Sequence, residues 1–376
     1  MTERQSLATR TVRGLLALPE PIIDRLIGAP PIVRDGRVLN RRLQALLVLS
    51  ERLGLNPEEE SGDVADRRER LRRAGALGMP SRTGLHVVDR RVPGPAGDIP
   101  VRIYRRYGLP EAAPAIVYLH GGGWVAGDLD SHDGSCRLLA DESECIVVAV
   151  DYRLAPEHPF PAAVDDAVAA YRWVHDHAGE LSIETGRVGV MGDSAGANLA
   201  AVIAQVTRDT DVPAPTAQCL VYPAVDAHLS EPSHELFADG FFLTRQGIEW
   251  FRDQYLPDAS DWDSPLASPI LQPDLAGVAP ALVVTAGFDP LRDEGRRYAD
   301  RLAEAGVAVR YRCYDDMVHG FFGMGVLPGG LGLAAEICLG MGDLMHDTPL
   351  AARRVGSEPR VGAAFDVCGA EPTLYP

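Results

Sequence analysis

The stretch Arg187-Val-Gly-Val-Met-Gly-Asp-Ser-Ala-Gly-Ala-Asn-Leu-Ala200 decides the fold of this chain. Residues 188–191 form a short apolar run that is typical of a buried strand, and beyond Ala195 apolar residues recur every three or four positions, as on a helix face. Between them lies a Gly-x-Ser-x-Gly sequence centred on Ser194. A sharp strand-to-helix turn leaves no room for a Cβ two residues before or after the serine, and it lifts the hydroxyl above a helix N-terminus. The alternative is an ordinary glycine-rich turn with a solvated serine. The strand–turn–helix context favours a nucleophile at Ser194, with the N–H of Ala195 as an oxyanion donor.

A second glycine motif follows the apolar run 115–119, which is typical of a buried strand. The motif is His120-Gly-Gly-Gly-Trp124. Successive glycines allow backbone N–H groups to approach a bound oxyanion closely, where bulkier residues block the approach. A flexible glycine loop does not explain the position directly after a core strand. The motif therefore predicts Gly122 and Gly123 as further oxyanion donors.

The composition is typical of a globular protein with enough apolar residues for a large core, because 46% of its 376 residues are hydrophobic. That length permits one α/β domain with an accessory part, or two domains. The formal net charge of −17, from 36 basic and 53 acidic residues, argues against nucleic acid and against stable membrane association. The six cysteines have no metal-ligand spacing, and the first ten residues carry no apolar run of the kind that a signal peptide contains. We expect a cytoplasmic protein with reduced thiols.

The chain divides by pattern into three segments, the second of which contains a further cap segment. Residues 1–80 carry helical apolar faces broken by prolines, which predict an N-terminal helical cap segment, and the mixed-charge stretch 66–73 predicts an exposed helix face. Residues 81–345 read as one catalytic α/β domain, and residues 346–376 predict a disordered extension. Inside the domain, 225–265 interrupts the strand–helix alternation and predicts a second cap segment. Eight apolar runs predict strands at 85–92, 99–104, 115–119, 146–150, 188–191, 218–222, 281–286 and 307–313.

Three motifs together resemble the hormone-sensitive-lipase family of bacterial esterases, known as family IV. They are His120-Gly-Gly-Gly123, the run from Asp151 to Pro159 and Gly192-Asp-Ser-Ala-Gly196. The resemblance covers roughly residues 80 to 325. It implies an α/β-hydrolase fold, with a mostly parallel eight-stranded sheet, helices on both faces and a helical cap. It also implies a carboxylesterase that needs no cofactor and no metal.

Two strand-end loops after the serine supply the remaining members of a catalytic triad. An α/β hydrolase places its acid and its histidine after the serine, each in a loop at the carboxyl end of a strand. Asp289 and His319 meet that requirement, and the resemblance points to the same two residues. The other candidates are read as helix-start, surface, tail or outer-helix residues: Asp293, Asp315, Asp316, His346, His175 and His177.

Four further features have structural or supporting interpretations. The loop 128–133 carries three aspartates and a histidine, which favour helix capping and solvation over a metal site. Arg153 and Glu157 are candidates to pair and fix their proline-rich loop. Asp193 is expected to tune the oxyanion loop. The aromatic residues concentrated in the second cap segment predict cap core, pocket lining or both: Phe237, Phe241, Phe242, Trp250, Phe251, Tyr255 and Trp262.

The function predicted from these residues is hydrolysis of short to medium acyl esters through an acyl-enzyme on Ser194. The expected partner is a small-molecule ester, and a homodimer is left open. Two alternatives remain. An acyltransferase uses the same triad but resolves the acyl-enzyme with an alcohol or amine, and a ligand-binding protein keeps the fold without catalysis.

Overall fold

The core of the protein is an eight-stranded sheet in a computed structural model that describes residues 13–52 and 63–346. The strand order across the sheet is β10-β9-β8-β7-β5-β6-β4-β3. The six strands from β10 to β6 run parallel, and β4 and β3 add an antiparallel hairpin at one edge. The predicted fold, a mostly parallel eight-stranded sheet, is confirmed. Its strands are β3 (Leu85–Gly94), β4 (Gly97–Arg106), β5 (Ala113–Leu119), β6 (Ile146–Val150), β7 (Ile183–Asp193), β8 (Gln218–Val221), β9 (Ala281–Phe288) and β10 (Val309–Val318).

The central strands are apolar along their whole length because both faces of the sheet are covered. Every residue of β5, β6, β8 and β9 is buried. Neighbouring side chains of β5 enter different cores, since Val117 packs with one cluster and Ile116 with the other. Parallel strands with helices on both faces have this continuous apolar character.

The edge hairpin is longer than the sequence pattern predicts. We expected strands at 85–92 and 99–104, whereas β3 and β4 pair from Leu85 opposite Arg106 to Gly94 opposite Gly97. Proline and glycine at 93–97 are typical of a turn. Here Pro93, Gly94 and Gly97 remain in the ladder, and only residues 95 and 96 connect the strands.

Helices cover both faces of the sheet. One core cluster contains residues of α5, α6 and α9, and the other contains residues of α4 and α10. The ten helices in the described residues, numbered from the first complete one, are α1 (Glu20–Ile27), α2 (Arg41–Arg52), α3 (Val64–Gly78), α4 (Asp133–Ser143), α5 (Ala162–Asp176), α6 (Ala195–Thr207), α7 (Ser233–Leu236), α8 (Arg245–Tyr255), α9 (Arg292–Glu304) and α10 (Gly330–Met345). None of these helices is long and apolar enough to cross a membrane.

The N-terminal segment is helical but also contains a short hairpin that the pattern does not predict. Strands β1 (Val33–Arg34) and β2 (Arg37–Val38) pair antiparallel. This hairpin meets the end of the edge strand β10, where Arg37 Nε donates to Asp315 Oδ1 at 2.8 Å. The division into cap and catalytic segments stays a prediction. Residues 347–376, which include nearly all of the extension predicted to be disordered, lie outside the described residues.

Helix α3 is exposed along only part of the charged stretch 66–73, so its predicted role as an exposed face holds in part. Arg68 Nε donates to the carbonyl of Val125 at 2.8 Å, and its Nη2 donates to the carbonyl of Ala155 at 3.0 Å. The same guanidinium pairs with Glu157 at 2.7 Å, and this hydrogen bond lowers the pKa of that carboxyl to about 2. The expected pairing of Arg153 with Glu157 is therefore wrong, because α3 supplies the partner of Glu157 and Arg153 pairs with Asp166 at 2.8 Å. These contacts hold α3 across the carboxyl ends of the central strands.

Candidate active site

Ser194 is the single residue between the end of β7 and the start of α6, and its backbone is strained. Its φ of 55° and ψ of −120° lie in a region that residues with a Cβ rarely adopt. A Cβ on Gly192 would overlap the backbone of Gly196, and a Cβ on Gly196 would overlap the carbonyl of Leu119. The two glycines therefore permit the tight turn, as the Gly-x-Ser-x-Gly pattern predicts.

Asp289 and His319 lie at the same edge of the sheet as Ser194. Asp289 follows β9 and His319 follows β10, so both leave the carboxyl ends of parallel strands. His319 Nδ1 is 2.8 Å from Asp289 Oδ2, and His319 Nε2 is 3.0 Å from Ser194 Oγ. The structure thus brings together three residues that lie up to 125 positions apart in the chain.

The hydrogen-bond network assigns the tautomer of His319. A carboxylate at Nδ1 requires that this nitrogen carries the proton, which leaves the Nε2 lone pair to accept from the Ser194 hydroxyl. Asp289 is fully buried and its second oxygen accepts from the N–H of Leu291 at 2.9 Å. The ring of Tyr222 lies 4.5 Å from the His319 ring, centroid to centroid. Both partners hold the imidazole in a single orientation.

The other carboxylates and histidines considered from sequence have partners of their own. Asp293 pairs with Arg292 at 2.7 Å, and Asp315 with Arg37 at 2.8 Å. The remaining contacts are Asp316 with Asn40, His175 with Tyr171, His177 with the Trp173 carbonyl and His346 with the Ser143 carbonyl.

The glycine loop after β5 lies beside the serine. Gly122 and Gly123 have φ values of 123° and 63°, which strain any residue with a Cβ. A Cβ on Gly123 would overlap the ring of Phe251, and one on Gly122 would overlap the carbonyl of Ala126. Gly122, Gly123 and Ala195, the three predicted oxyanion donors, all line the cavity that contains Ser194. Ala195 begins helix α6, whose N-terminus favours negative charge.

A cavity of about 260 Å³ opens over Ser194 and His319. Its lining includes the site just described, Leu71 of α3, which lies against Gly122, and Phe251 of α8, which lies against Gly123. Ligand pockets in proteins commonly occupy about 300–1,000 Å³, so this cavity is small. Other residues that line it include Arg67, Leu229, Leu243, Ile248, Arg252, Leu256, Asp226 and Glu294.

The aromatic residues of 225–265 divide between the two predicted roles. Phe251 lines the cavity. Five of the others make packing contacts. Phe237 and Phe241 lie against Phe288, and Tyr255 stacks on Trp124. Trp250 and Trp262 lie under the guanidinium groups of Arg67 and Arg252, respectively.

The acidic loop at 128–133 carries out structural roles. Asp128 accepts from the backbone of Ser131 and pairs with Arg72, and Asp133 pairs with Arg137. His132 turns away from these carboxylates and lines the cavity near Asp193. In the part of the chain that the structure describes, no group of three His, Cys, Asp or Glu side chains could hold a metal ion.

Sequence reasoning missed several residues of the cavity. Arg67 and Leu71 come from α3, and the buried Glu294 lies in the wall, with its Oε2 2.8 Å from Nε2 of the buried His234 behind it. His132 belongs to the same group. Glu294 lies five residues after Asp289, at the start of a helix, which is the one sequence signal that could have drawn attention to it.

Comparison with known proteins finds similarity across the stretch that contains the glycine loop, Ser194, Asp289 and His319. A family model described as the α/β-hydrolase fold matches residues 116–323. The carboxylic ester hydrolase LipN of Mycobacterium tuberculosis is 44% identical over 326 residues, which cover 85% of this chain and 86% of that protein. Ethyl acetate hydrolase of Pseudomonas putida is 42% identical over 60% of this chain and 72% of its own. The resemblance predicted from the three motifs is thereby confirmed.

A solved structure agrees with the sequence relatives. It is an ester hydrolase, EH1AB1, from the metagenome of Lake Arreo, in complex with a derivative of bipyridine phosphonate. That chain is 40% identical, with a TM-score of 0.78 over 81% of this chain and 98% of its own.

Proposed function

Because this chain belongs to the α/β-hydrolase family, we propose that it hydrolyses carboxylic esters with Ser194 as nucleophile, His319 as general base and acid, and Asp289 as the residue that orients the histidine. The observation that carries the proposal is the unbroken contact from Asp289 through His319 to Ser194, at 2.8 Å and 3.0 Å. The relatives named as ester hydrolases support the class of reaction.

The first half of the reaction forms an acyl-enzyme. His319 Nε2 takes the proton from Ser194 as its Oγ bonds to the ester carbonyl carbon, and the carbonyl oxygen becomes an oxyanion. The N–H groups of Gly122, Gly123 and Ala195 donate hydrogen bonds to that oxyanion. The ionised Asp289 stabilises the imidazolium. His319 then protonates the leaving alcohol as its bond to the carbonyl carbon breaks.

The second half releases the acid. Water enters where the alcohol left, His319 takes one of its protons, and the oxygen bonds to the acyl carbon. The tetrahedral oxyanion forms again beside the same three N–H groups. His319 returns the proton to Ser194 Oγ as the acyl bond breaks, so the free enzyme is restored.

The substrate class is short to medium acyl esters. A cavity of about 260 Å³ holds few non-hydrogen atoms, and the rings and aliphatic side chains of α3 and α8 bound it from above. An acyl chain longer than the cavity has to displace those helices. We therefore propose that kcat/KM falls as the acyl chain lengthens.

Burst kinetics with p-nitrophenyl butyrate test the mechanism. We expect one equivalent of p-nitrophenol to appear before the steady state whenever deacylation limits turnover, and no turnover in Ser194→Ala. Substantial turnover by a clean Ser194→Ala preparation would overturn the assignment of the nucleophile.

A competing alcohol distinguishes hydrolysis from acyl transfer. With methanol or butanol present at millimolar concentration, a hydrolase gives mainly butyric acid, because water is in large excess. Predominant butyrate ester would identify an acyltransferase on the same triad. Ligand binding without turnover by the wild-type protein would identify a non-catalytic relative.

A further inference from the structure

Asp193, directly before the proposed nucleophile, holds the start of the glycine loop. One carboxylate oxygen, Oδ1, accepts from the hydroxyl of Tyr118 at 2.6 Å and from the N–H of Gly121 at 3.0 Å. Gly121 immediately precedes Gly122 and Gly123. The carboxylate therefore fixes the peptide from which the proposed oxyanion donors continue.

His132 approaches the same oxygen from the cavity side. Its Nε2 lies 3.6 Å from Asp193 Oδ1, within ion-pair distance, and its Nδ1 lies 2.9 Å from Ser131 Oγ. The Ser131 hydroxyl also contacts the carbonyl of Asp128 at 2.9 Å and has one proton to donate. If that proton goes to the carbonyl of Asp128, Nδ1 of His132 must carry a proton and donate it to Ser131 Oγ. A neutral ring in this tautomer then directs the lone pair of its Nε2 at the Asp193 carboxylate. An imidazolium, or the tautomer with its proton on Nε2, avoids that repulsion and points an N–H at Asp193.

The neutral His120 does not offset the negative charge of Asp193, so His132 is the histidine that can do so. Burial, and next the charge of His132, lower the pKa of His120 to about 4, so His120 is neutral at pH 7. Its Nδ1 faces the carbonyl of Gly121 at 2.9 Å. Burial raises the pKa of Asp193, but His132, the Tyr118 hydroxyl and the Gly121 N–H together hold that pKa below its ordinary value. Asp193 is thus an ionised, buried carboxylate that depends on these three partners.

We propose that His132 is a positioning residue for ester hydrolysis: its Nε2–H holds Asp193 and offsets its charge, so that the glycine loop keeps the shape that receives the oxyanion. This inference rests on the proposed function of Ser194 and the glycine loop. Without His132, a buried negative charge remains beside the place where the oxyanion develops, and it opposes the transition state more than the bound ester.

Three substitutions at residue 132 separate this role from general packing. In His132→Gln an amide N–H lies near the position of Nε2, whereas in His132→Asn it lies near that of Nδ1. His132→Leu removes both. We expect kcat of His132→Leu to fall about 10- to 100-fold, less than for loss of an oxyanion donor itself, with KM within about threefold. His132→Gln should retain at least about fivefold more kcat than His132→Asn, because only glutamine can reach Asp193.

The rate of inactivation by an alkyl p-nitrophenyl phosphonate provides a second readout. Its tetrahedral adduct on Ser194 places an oxygen where the oxyanion forms, so the rate should follow kcat across the three variants. The same reagent counts competent sites, and kcat is expressed per competent site so that poor folding does not mimic the effect.

The outcomes are distinguishable from failure of the proposed function. Equal kcat in His132→Gln and His132→Asn, or wild-type kcat in His132→Leu, would overturn the role of His132 while dependence on Ser194 persists. Turnover that survives Ser194→Ala would instead overturn the proposed function itself. A loss expressed only in KM would show that His132 binds substrate and does not position the loop.

Discussion

His234 Nε2 and Glu294 Oε2 face each other at 2.8 Å in the interior, and neither side chain has any exposed surface. The second oxygen of Glu294 accepts from the N–H of Val225 at 2.6 Å. Glu294 therefore ties helix α9 to the loop after β8, which forms one wall of the cavity. The pair takes no part in the proposed mechanism, so we expect it to affect the free energy of unfolding.

The free energy of unfolding should decrease between pH 4.5 and about 7 through Glu294. Burial raises the pKa of its carboxyl from 4.5 to about 7, although His234 acts in the opposite direction. In that window the folded protein holds a proton that the unfolded chain has released, so the contribution to stability is complete below pH 4.5 and is lost as the pH rises through 7. Urea unfolding at a series of pH values measures the slope.

Glu294→Gln supplies the control for that slope. The amide keeps an acceptor for Val225 but does not titrate, so the difference in unfolding free energy between wild type and variant should change in the same window. A difference that is constant from pH 4.5 to 8 would contradict the raised pKa.

Ser194→Gly should be more stable than Ser194→Ala, although both lack activity. Alanine retains a Cβ at φ 55° and therefore the strain of the turn, which is of order 1–3 kcal/mol, whereas glycine adopts this backbone freely. After the entropy cost of glycine, we expect a gain of about 1 kcal/mol. Calorimetric melting of the two variants tests this, and a lower melting temperature for glycine would show that the turn is not strained.

Asp289→Asn should reduce kcat by about 10⁴, because an amide favours the wrong tautomer of His319. His319→Ala should cost a similar factor. Asp293→Asn is the matched control: Asp293 is close in sequence but pairs with Arg292, so its loss should change kcat by less than about threefold. Steady-state kinetics on p-nitrophenyl butyrate compare the three. A severe effect of Asp293→Asn with a mild one of Asp289→Asn would mean that the acid is misassigned.

Phe251→Ala should move the preferred acyl length upward. Phe251 lines the cavity and contacts Gly123, so its removal lengthens the space beside Ser194. With p-nitrophenyl esters from acetate to laurate, we expect the maximum of kcat/KM at short to medium chains for wild type and at longer ones for the variant. Tyr107→Ala, at an exposed aromatic residue, should leave the profile unchanged. A wild-type maximum at laurate, or activation by emulsified triglyceride, would exclude the size of this cavity as the basis of selection.

The sequence alone predicts the positions of Ser194, Asp289 and His319 because each follows an apolar strand, and the carboxyl ends of parallel strands meet at one edge. It does not predict that α3 lines the cavity. That contact depends on close packing of Gly75 and Gly78 against the backbone of Ser131 and Gly323, which are distant in the chain. The sequence does not predict the proposed role of His132 either, since its neighbours in sequence suggest helix capping, whereas the structure places its Nε2 3.6 Å from Asp193 Oδ1.

The contact between Phe251 and Gly123 has a consequence for the behaviour of the enzyme on heating. The proposed oxyanion loop takes part of its shape from α8, and α3 lies against Gly122 through Leu71. Among the described side chains, α3 contributes no fully buried residue to the two core clusters and α8 contributes only Tyr255. Elements with few core contacts open at lower free energy than the whole protein. Catalytic half-life should therefore be governed by detachment of these two helices, well before the sheet melts. Cross-linking α3 to α8 would then extend working lifetime without raising the melting temperature of the core.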